Sequence, residues 1–429
     1  MGKPPKPYRE RRLGNRTLSP ETLAMSYGYD PRLSEGALKA PIFQTSTFAF
    51  GTAEEGRALS ELAYGLRPPR ADEDPGSIYT RIGNPDLEIL EDRLTLWDEA
   101  EAALAFASGM AAVATTMLTL VRPGDVILHS EPLYGGTTYL FHTTLPAFGV
   151  QRVGFAAGGR PGAIEAATEA ALAAGPVAVV YAETPANPTN TLVDIAACVD
   201  AAARIEAAQV RRPAVVVDNT LLGPLWQRPL AYGADLVLYA LTKYIGGHSD
   251  LMGGACVGRE DVLADIRVTR TILGTTLDPH TCWLATRSLE TMKLRVVKAT
   301  ENAGRVAAFL SNHPKVARVN HLDFLAADDP QQAIFTRQCS GAESTFAFEV
   351  VGGEAAAYGL LDALKVIRLA VSLGGTESLA EHPASMTHVN IPAQEQTAIG
   401  ITPGMVRISI GIEDPEDLIA DLDQALAQI

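Results

Sequence analysis

The sequence predicts an α/β protein with a second, smaller α+β part, and three observations carry the prediction. From about residue 85, short apolar runs at 102–106, 126–128, 177–181, 214–217 and 236–239 alternate with stretches long enough for a helix. Strands apolar on both faces and joined by helical connections belong to a largely parallel sheet covered on both sides. Beyond residue 310 the texture changes to strand-like runs at 345–350, 366–371 and 405–410. An apolar share of 47% and a charged share of 20% over 429 residues exclude a mainly disordered or collagen-like chain.

Residues 1–78 are rich in Pro, Gly and Arg, with one clear apolar stretch, Ala40-Pro41-Ile42-Phe43. Such a segment buries little by itself, so an arm packed on a neighbouring subunit is expected, with 67–76 as an exposed loop. In the part spanning 79–290, the run 102–106 leads into a helix at 109–120, then a turn, Arg122-Pro123-Gly124-Asp125, then the next strand. A long helical stretch at 281–310 leads into the last part, 291–429. There Asp414-Pro415-Glu416-Asp417 opens a final helix, with an Asp cap, Pro at the first position and acids in the first turn. Leu418, Leu422 and Leu426 give that helix its apolar face.

With 50 acidic against 35 basic residues, the net charge of −15 repels a phosphate backbone, so nucleic acid is not an expected partner. An anionic ligand must be held in a pocket by a few cations or backbone N–H groups. Cys198, Cys256, Cys282 and Cys339 form no C-x-x-C pair and read as buried thiols, with no metal site. No run of about 18 apolar residues exists, which excludes a membrane partner and points to a cytoplasmic location.

In an open α/β sheet, ligands lie at the carboxyl ends of the strands. After 102–106 come Ser108, Gly109 and Met110 at the start of a helix, a place for a phosphate or simply a small-residue turn. After 214–217 comes Asp218, a carboxylate that needs a partner if buried. After 236–239 come Thr242 and Lys243 in a Gly-rich loop, and after 177–181 comes Asn187, framed by Pro185 and Pro188. A phosphate cradle, a carboxylate, an amide and a lysine on one rim are what pyridoxal 5'-phosphate (PLP) asks of a protein.

Longer motifs sharpen this. The runs Pro41-Ile42-Phe43-Gln44-Thr45-Ser46-Thr47-Phe48, Tyr79-Thr80-Arg81-Ile82-Gly83-Asn84-Pro85, Ser108-Gly109-Met110, Tyr134-Gly135-Gly136-Thr137, Glu183-Thr184-Pro185-Ala186-Asn187-Pro188 and Thr242-Lys243-Tyr244 resemble the Cys/Met metabolism family of PLP enzymes. So do Ser372-Leu373-Gly374-Gly375, Met386-Thr387-His388 and the stretch from Val406 to Asp414. The resemblance covers roughly residues 40–429 and implies the aspartate-aminotransferase-type fold (fold type I). A PLP-binding large domain (79–290) would be followed by a small C-terminal domain (291–429).

The resemblance also implies roles. Lys243 would hold the cofactor as a Schiff base and shuttle the α-proton, Asp218 would pair with the pyridine nitrogen, and Asn187 would reach the ring hydroxyl. Ser108, Gly109, Met110 and Thr242 would hold the phosphate, joined by Tyr79 and Arg81 of a neighbouring subunit, so that active sites form in dimers, within a homotetramer. Tyr134 would stack on the ring and serve the leaving group. Arg407 would fork onto the substrate carboxylate with Ser372 beside it, and Val371 would face the distal end of the substrate. Two departures stand out: Ala240 replaces a common Ser, and Gly136 replaces the Cys usual in methionine γ-lyases. The segment 56–76 is longer than usual.

Apolar Val371, where some cystathionine lyases have Glu, suits an uncharged thioether. The expected reaction is α,γ-elimination of a methionine-like or homocysteine-derived amino acid to 2-oxobutanoate, ammonia and a thiol. The alternatives are γ-replacement on an activated homoserine, of the cystathionine γ-synthase or O-acylhomoserine sulfhydrylase type, and a catalytically silent binding protein. The last is disfavoured because Lys243, Asp218, Tyr134 and Arg407 are all present.

Overall fold

A computed structural model describes residues 7–68 and 76–429. A small hairpin, β1 (Arg12–Leu13) with β2 (Arg16–Thr17), precedes two sheets. The larger has seven strands: β3 (Ala102–Phe106), β4 (Val126–Glu131), β5 (Gln151–Ala156), β6 (Val177–Glu183), β7 (Ala214–Asp218), β8 (Leu236–Ala240) and β9 (Gly254–Gly258). Their spatial order is β3-β9-β8-β7-β6-β4-β5. Strands β4 to β8 pair in parallel, and β9 runs antiparallel between β8 and β3. Every residue of β6 and β9 is buried, as a sheet covered on both faces demands.

The second sheet contains β10 (Val316–Asn320), β11 (Thr345–Val350), β12 (Arg368–Leu369), β13 (Leu379–Glu381) and β14 (Met405–Ser409), in the order β10-β11-β14-β13-β12. Its core joins Phe346, Phe348 and Ile408 to Val306 and Leu310 and to Leu418, Leu422 and Leu426. Those three leucines lie on one face of the last helix, Pro415–Leu426, and each contributes about 2 kcal/mol by burial. The Asp414 carboxylate caps this helix, accepting from the Glu416 N–H at 2.9 Å.

Several expectations need correction. The segment expected to pack on a neighbouring subunit has, among its described residues, contacts within its own chain as well: Leu23 and Tyr27 join the core of Leu90, Leu94 and Trp97. Arg9 Nε donates to Asp92 at 2.6 Å, and Arg93 Nε donates to the Tyr27 carbonyl at 3.0 Å. In the apolar stretch 40–43, Ile42 is exposed. The segment 56–76 begins inside a helix, Ala53–Ala63, whose Glu55 N–H is capped by Thr52. Residues 69–75 of the expected loop 67–76 lie outside the described residues.

The stretch 281–310 is two helices, Pro279–Leu289 and Met292–Ser311. At the break, Glu290 pairs with buried Arg93 at 3.2 Å. The run 366–371 pairs only at Arg368–Leu369, because the N–H groups of Lys365, Val366 and Ile367 go to the Asp421 carboxylate instead of a neighbouring strand. Cys339 is half-buried, whereas Cys198, Cys256 and Cys282 are buried thiols.

Candidate active site

A cavity of about 490 Å³ opens at the carboxyl ends of the parallel strands, where an α/β sheet leaves backbone groups free for ligands. Its wall carries Ser108, Gly109, Met110, Tyr134, Asn187, Asp218, Thr242, Lys243, Val371, Ser372 and Arg407. The segments around both sheets therefore contribute to it.

One end is built by the helix Gly109–Leu120. Ser108 Oγ accepts from the Ala111 N–H at 3.0 Å and the Ser108 carbonyl accepts from the Ala112 N–H. The first-turn N–H groups of Gly109 and Met110 have no such partner, and the helix dipole adds positive potential there. Gly109 is glycine because a side chain would press against the Cβ of Ala240 at 2.9 Å. Thr242 faces the cavity, but its hydroxyl is already engaged by the Gly253 backbone, accepting from the N–H at 3.1 Å.

At the floor, Glu183 and Asp218 stand opposite each other on the adjacent strands β6 and β7. Glu183 accepts from the backbone N–H of Tyr134 at 2.6 Å and of Asn187 at 3.0 Å. Asp218 accepts from the Thr220 N–H at 3.0 Å and from the Tyr181 hydroxyl at 3.4 Å. Burial raises the pKa of both, and their mutual repulsion adds to the rise for Glu183. Among the described residues neither carboxylate has a cationic partner. A protonated ring nitrogen is the cation this floor would accommodate, so the donor set fits PLP.

Lys243 enters from the loop after β8, and its ammonium donates to Ser372 Oγ at 2.8 Å. Burial, then the nearby Arg407 charge, lowers its pKa to about 8, with Glu381 opposing. Ser372 sits at φ +97°, a left-handed conformation that costs a non-glycine residue energy and marks functional loops. That turn also aims its carbonyl at Arg407, whose Nη2 donates to it at 2.7 Å. Arg407 Nη1 donates to Asn187 Oδ1 at 3.1 Å and pairs with Glu381 at 2.9 Å, while buried Nε has no partner.

Tyr134 is 43% exposed at the cavity mouth, and Val371 is likewise exposed there. Tyr79 and Arg81 do not reach the cavity wall within one chain. The Arg81 guanidinium lies over the Tyr79 ring, 5.8 Å from its centroid, and donates to the Thr271 carbonyl at 2.6 Å. Glu183, Thr220 and Glu381 were not singled out as site residues by sequence reasoning. The signal for Glu183 was its place at the head of a quoted motif; Glu381 showed only as a charged residue ending an apolar run.

Fold and cavity together define the class: an α/β enzyme built on a doubly covered, mostly parallel sheet. The family model described as Cys/Met metabolism PLP-dependent enzyme matches residues 21–427, and the chain belongs to that family. It is 41% identical over 410 residues to the L-methionine gamma-lyase of Pseudomonas deceptionensis, covering 94% of this chain and 96% of that protein. It is 38% identical over 353 residues to the cystathionine gamma-lyase of Mus musculus, covering 82% and 85% respectively. The crystal structure of cystathionine gamma synthase from Xanthomonas oryzae pv. oryzae in complex with cystathionine superposes with a TM-score of 0.85. Identity there is 33%, with 96% of this chain and 99% of that chain covered. Among the described residues, no helix is long and apolar enough to cross a membrane.

Proposed function

We propose that this protein is a PLP-dependent carbon–sulfur lyase that converts a methionine-like amino acid and water to 2-oxobutanoate, ammonia and a thiol. The observation that carries the reading is the placement of Lys243 Nζ beside Ser372, with Arg407 on the same cavity wall. Residues 79–290 would hold the cofactor, residues 291–429 the substrate carboxylate, and residues 1–78 an adjoining copy of the chain.

The cofactor would be held covalently by Lys243, with Asp218 at its ring nitrogen and Asn187 at its ring hydroxyl. Its phosphate would rest on Ser108 and the Gly109 and Met110 N–H groups; Tyr79 and Arg81 would come from a second copy, and Thr242 would add to the set. When bound, PLP supplies an electron sink for the negative charge left at the substrate α-carbon. Arg407 would bind the substrate carboxylate through its unpartnered Nε and one Nη, a planar fork that lysine cannot copy. Once neutral, the Lys243 amine would take the α-proton, hand it on to the cofactor, and, neutral again, take a proton from the β-carbon. Tyr134 delivers a proton to the departing sulfur, and Val371 gives the distal thioether an apolar wall.

Likeness to the L-methionine gamma-lyases supports elimination. Gly136 favours a second reading, γ-replacement on an activated homoserine by a thiol. A side chain at 136 would meet the Tyr134 ring at 2.8 Å and Met110 Sδ at 3.0 Å, so the Cys usual in methionine γ-lyases would fit only after those two side chains shift. Turnover assays with methionine, cystathionine and O-acetylhomoserine plus thiol separate the two. Release of 2-oxobutanoate from methionine is expected; turnover in the last mixture alone overturns the lyase reading.

A further inference from the structure

Strand β4 ends in His129-Ser130-Glu131, and the period of two places His129 and Glu131 on one face of the sheet. That face is covered by a single π-helical turn, Leu140–Thr144, which carries His142. Such turns are rare and cluster at functional positions. The two imidazole rings lie 5.6 Å apart, and one ligand atom each from His129, Glu131 and His142 all fall within 4.8 Å of one another. None of the three lines the cavity described above.

Two further observations point to a ligand there. His129 is fully buried; its Nδ1 lies 3.0 Å from the Ser130 carbonyl, a contact that places the ring proton on Nδ1. Nε2 is thereby left with a bare lone pair, and it is buried with no hydrogen-bond partner. Opposite His129 on β5 stands Gly154, where a Cβ would collide with the Glu131 carboxylate. The missing side chain makes room for that carboxylate, to which no described side chain donates a hydrogen bond. A buried imidazole nitrogen without a partner, beside a second imidazole and a carboxylate to which no described side chain donates, is an arrangement a cation completes.

We propose that His129 Nε2, His142 and Glu131 bind one divalent first-row metal ion, zinc, which fastens the π-helical turn to β4. Two imidazoles and a carboxylate suit zinc, with water in the fourth tetrahedral position. Donors no more than 4.8 Å apart lie at most about 2.8 Å from a common centre, so each closes by no more than roughly 0.7 Å to reach zinc bond lengths of about 2.0–2.2 Å. Exposed Arg152, near enough for its charge to act on all three groups, opposes the cation, and the Glu131 charge offsets it. Tyr134 begins three residues after Glu131, so the ion would steady the segment that presents it without touching the reacting groups.

The test uses the purified protein with its cofactor, freed of metal by a chelator and titrated with zinc chloride in a calorimeter and in thermal melts. Expected are one zinc per chain and a Tm rise of about 3 °C at zinc a hundredfold above Kd. Cobalt(II) in place of zinc should give visible d–d bands, a readout independent of activity. His142→Ala, at a half-buried position, and Glu131→Gln, which keeps the shape of the carboxylate, should each weaken binding at least about tenfold while the circular dichroism stays native. Absence of stoichiometric binding overturns the proposal, as does binding that persists undiminished in both variants.

Discussion

Arg407 and Glu381 are Cα partners across the antiparallel β14–β13 pair, and their side chains form an ion pair of 2.9 Å that is closed to water on both sides. Register alone puts the acid opposite the base. Burial holds the Glu381 pKa above its usual value even though Arg407 pulls it down. The same Glu381 oxygen also accepts from the Thr387 hydroxyl at 2.9 Å, which ties the pair to the segment closing the cavity.

Because the pair is buried, removing the acid leaves an uncompensated guanidinium. Glu381→Ala should lower stability by about 3–5 kcal/mol in chemical denaturation. Glu381→Gln, which keeps a hydrogen-bond acceptor, should lose markedly less. Equal losses would mean that the lost charge, and not the lost acceptor, accounts for the whole effect.

Arg407→Lys tests the substrate end. Lysine cannot serve the Asn187 oxygen, the Ser372 carbonyl and a substrate carboxylate from one planar group. Loss of a hydrogen bond to a charged group costs about 1.5–3 kcal/mol, or roughly 10- to 160-fold in KM. An unchanged KM for methionine would remove Arg407 from substrate recognition.

Lys243→Ala should abolish covalent retention of PLP, read as loss of a borohydride-trapped adduct, and lower turnover by at least about 10²- to 10⁴-fold. Survival of the adduct would place the covalent link elsewhere.

The lowered Lys243 pKa sets a pH dependence. Only the neutral amine attacks an aldehyde, and this amine loses its proton on passing about pH 8 rather than in the usual lysine range near 10.4. The rate at which cofactor-free protein takes up PLP should therefore rise through pH 7–8 and level off above about 8. A rate still climbing steeply at pH 10 would contradict it.

Away from the cavity, Asp421→Ala removes the acceptor of three backbone N–H groups, those of Lys365, Val366 and Ile367. Stranding even one or two of them in a partly buried turn should cost about 2–4 kcal/mol, measured by denaturant midpoint. A change under 0.5 kcal/mol would show that water replaces the carboxylate at roughly no cost.

Residues whose roles come from local order were legible. The strand–turn–helix rhythm located 102–106 and 109–120, and the capping pattern at Asp414 located the last helix, because caps and periodicity act within a few residues. Burial of the N-terminal segment was not legible: Leu23 and Tyr27 look like isolated apolar residues until the helix Pro85–Asp98 is there to receive them. The run 366–371 misled for a similar reason. Its β-branched composition suits a strand, but an acid more than fifty residues away takes its N–H groups.

By itself the sequence determined the class of sheet and the strand ends at which Lys243, Asp218 and Asn187 stand, because these follow from residue type and position along the chain, whereas Arg407 was marked only by the family resemblance. Only the tertiary structure decided which groups meet. The strand pairings that set Glu183 against Asp218 and Glu381 against Arg407, and the turn that brings His142 over β4, arise from register and packing between distant segments. Those interactions are short in space and long in sequence, so no local pattern encodes them.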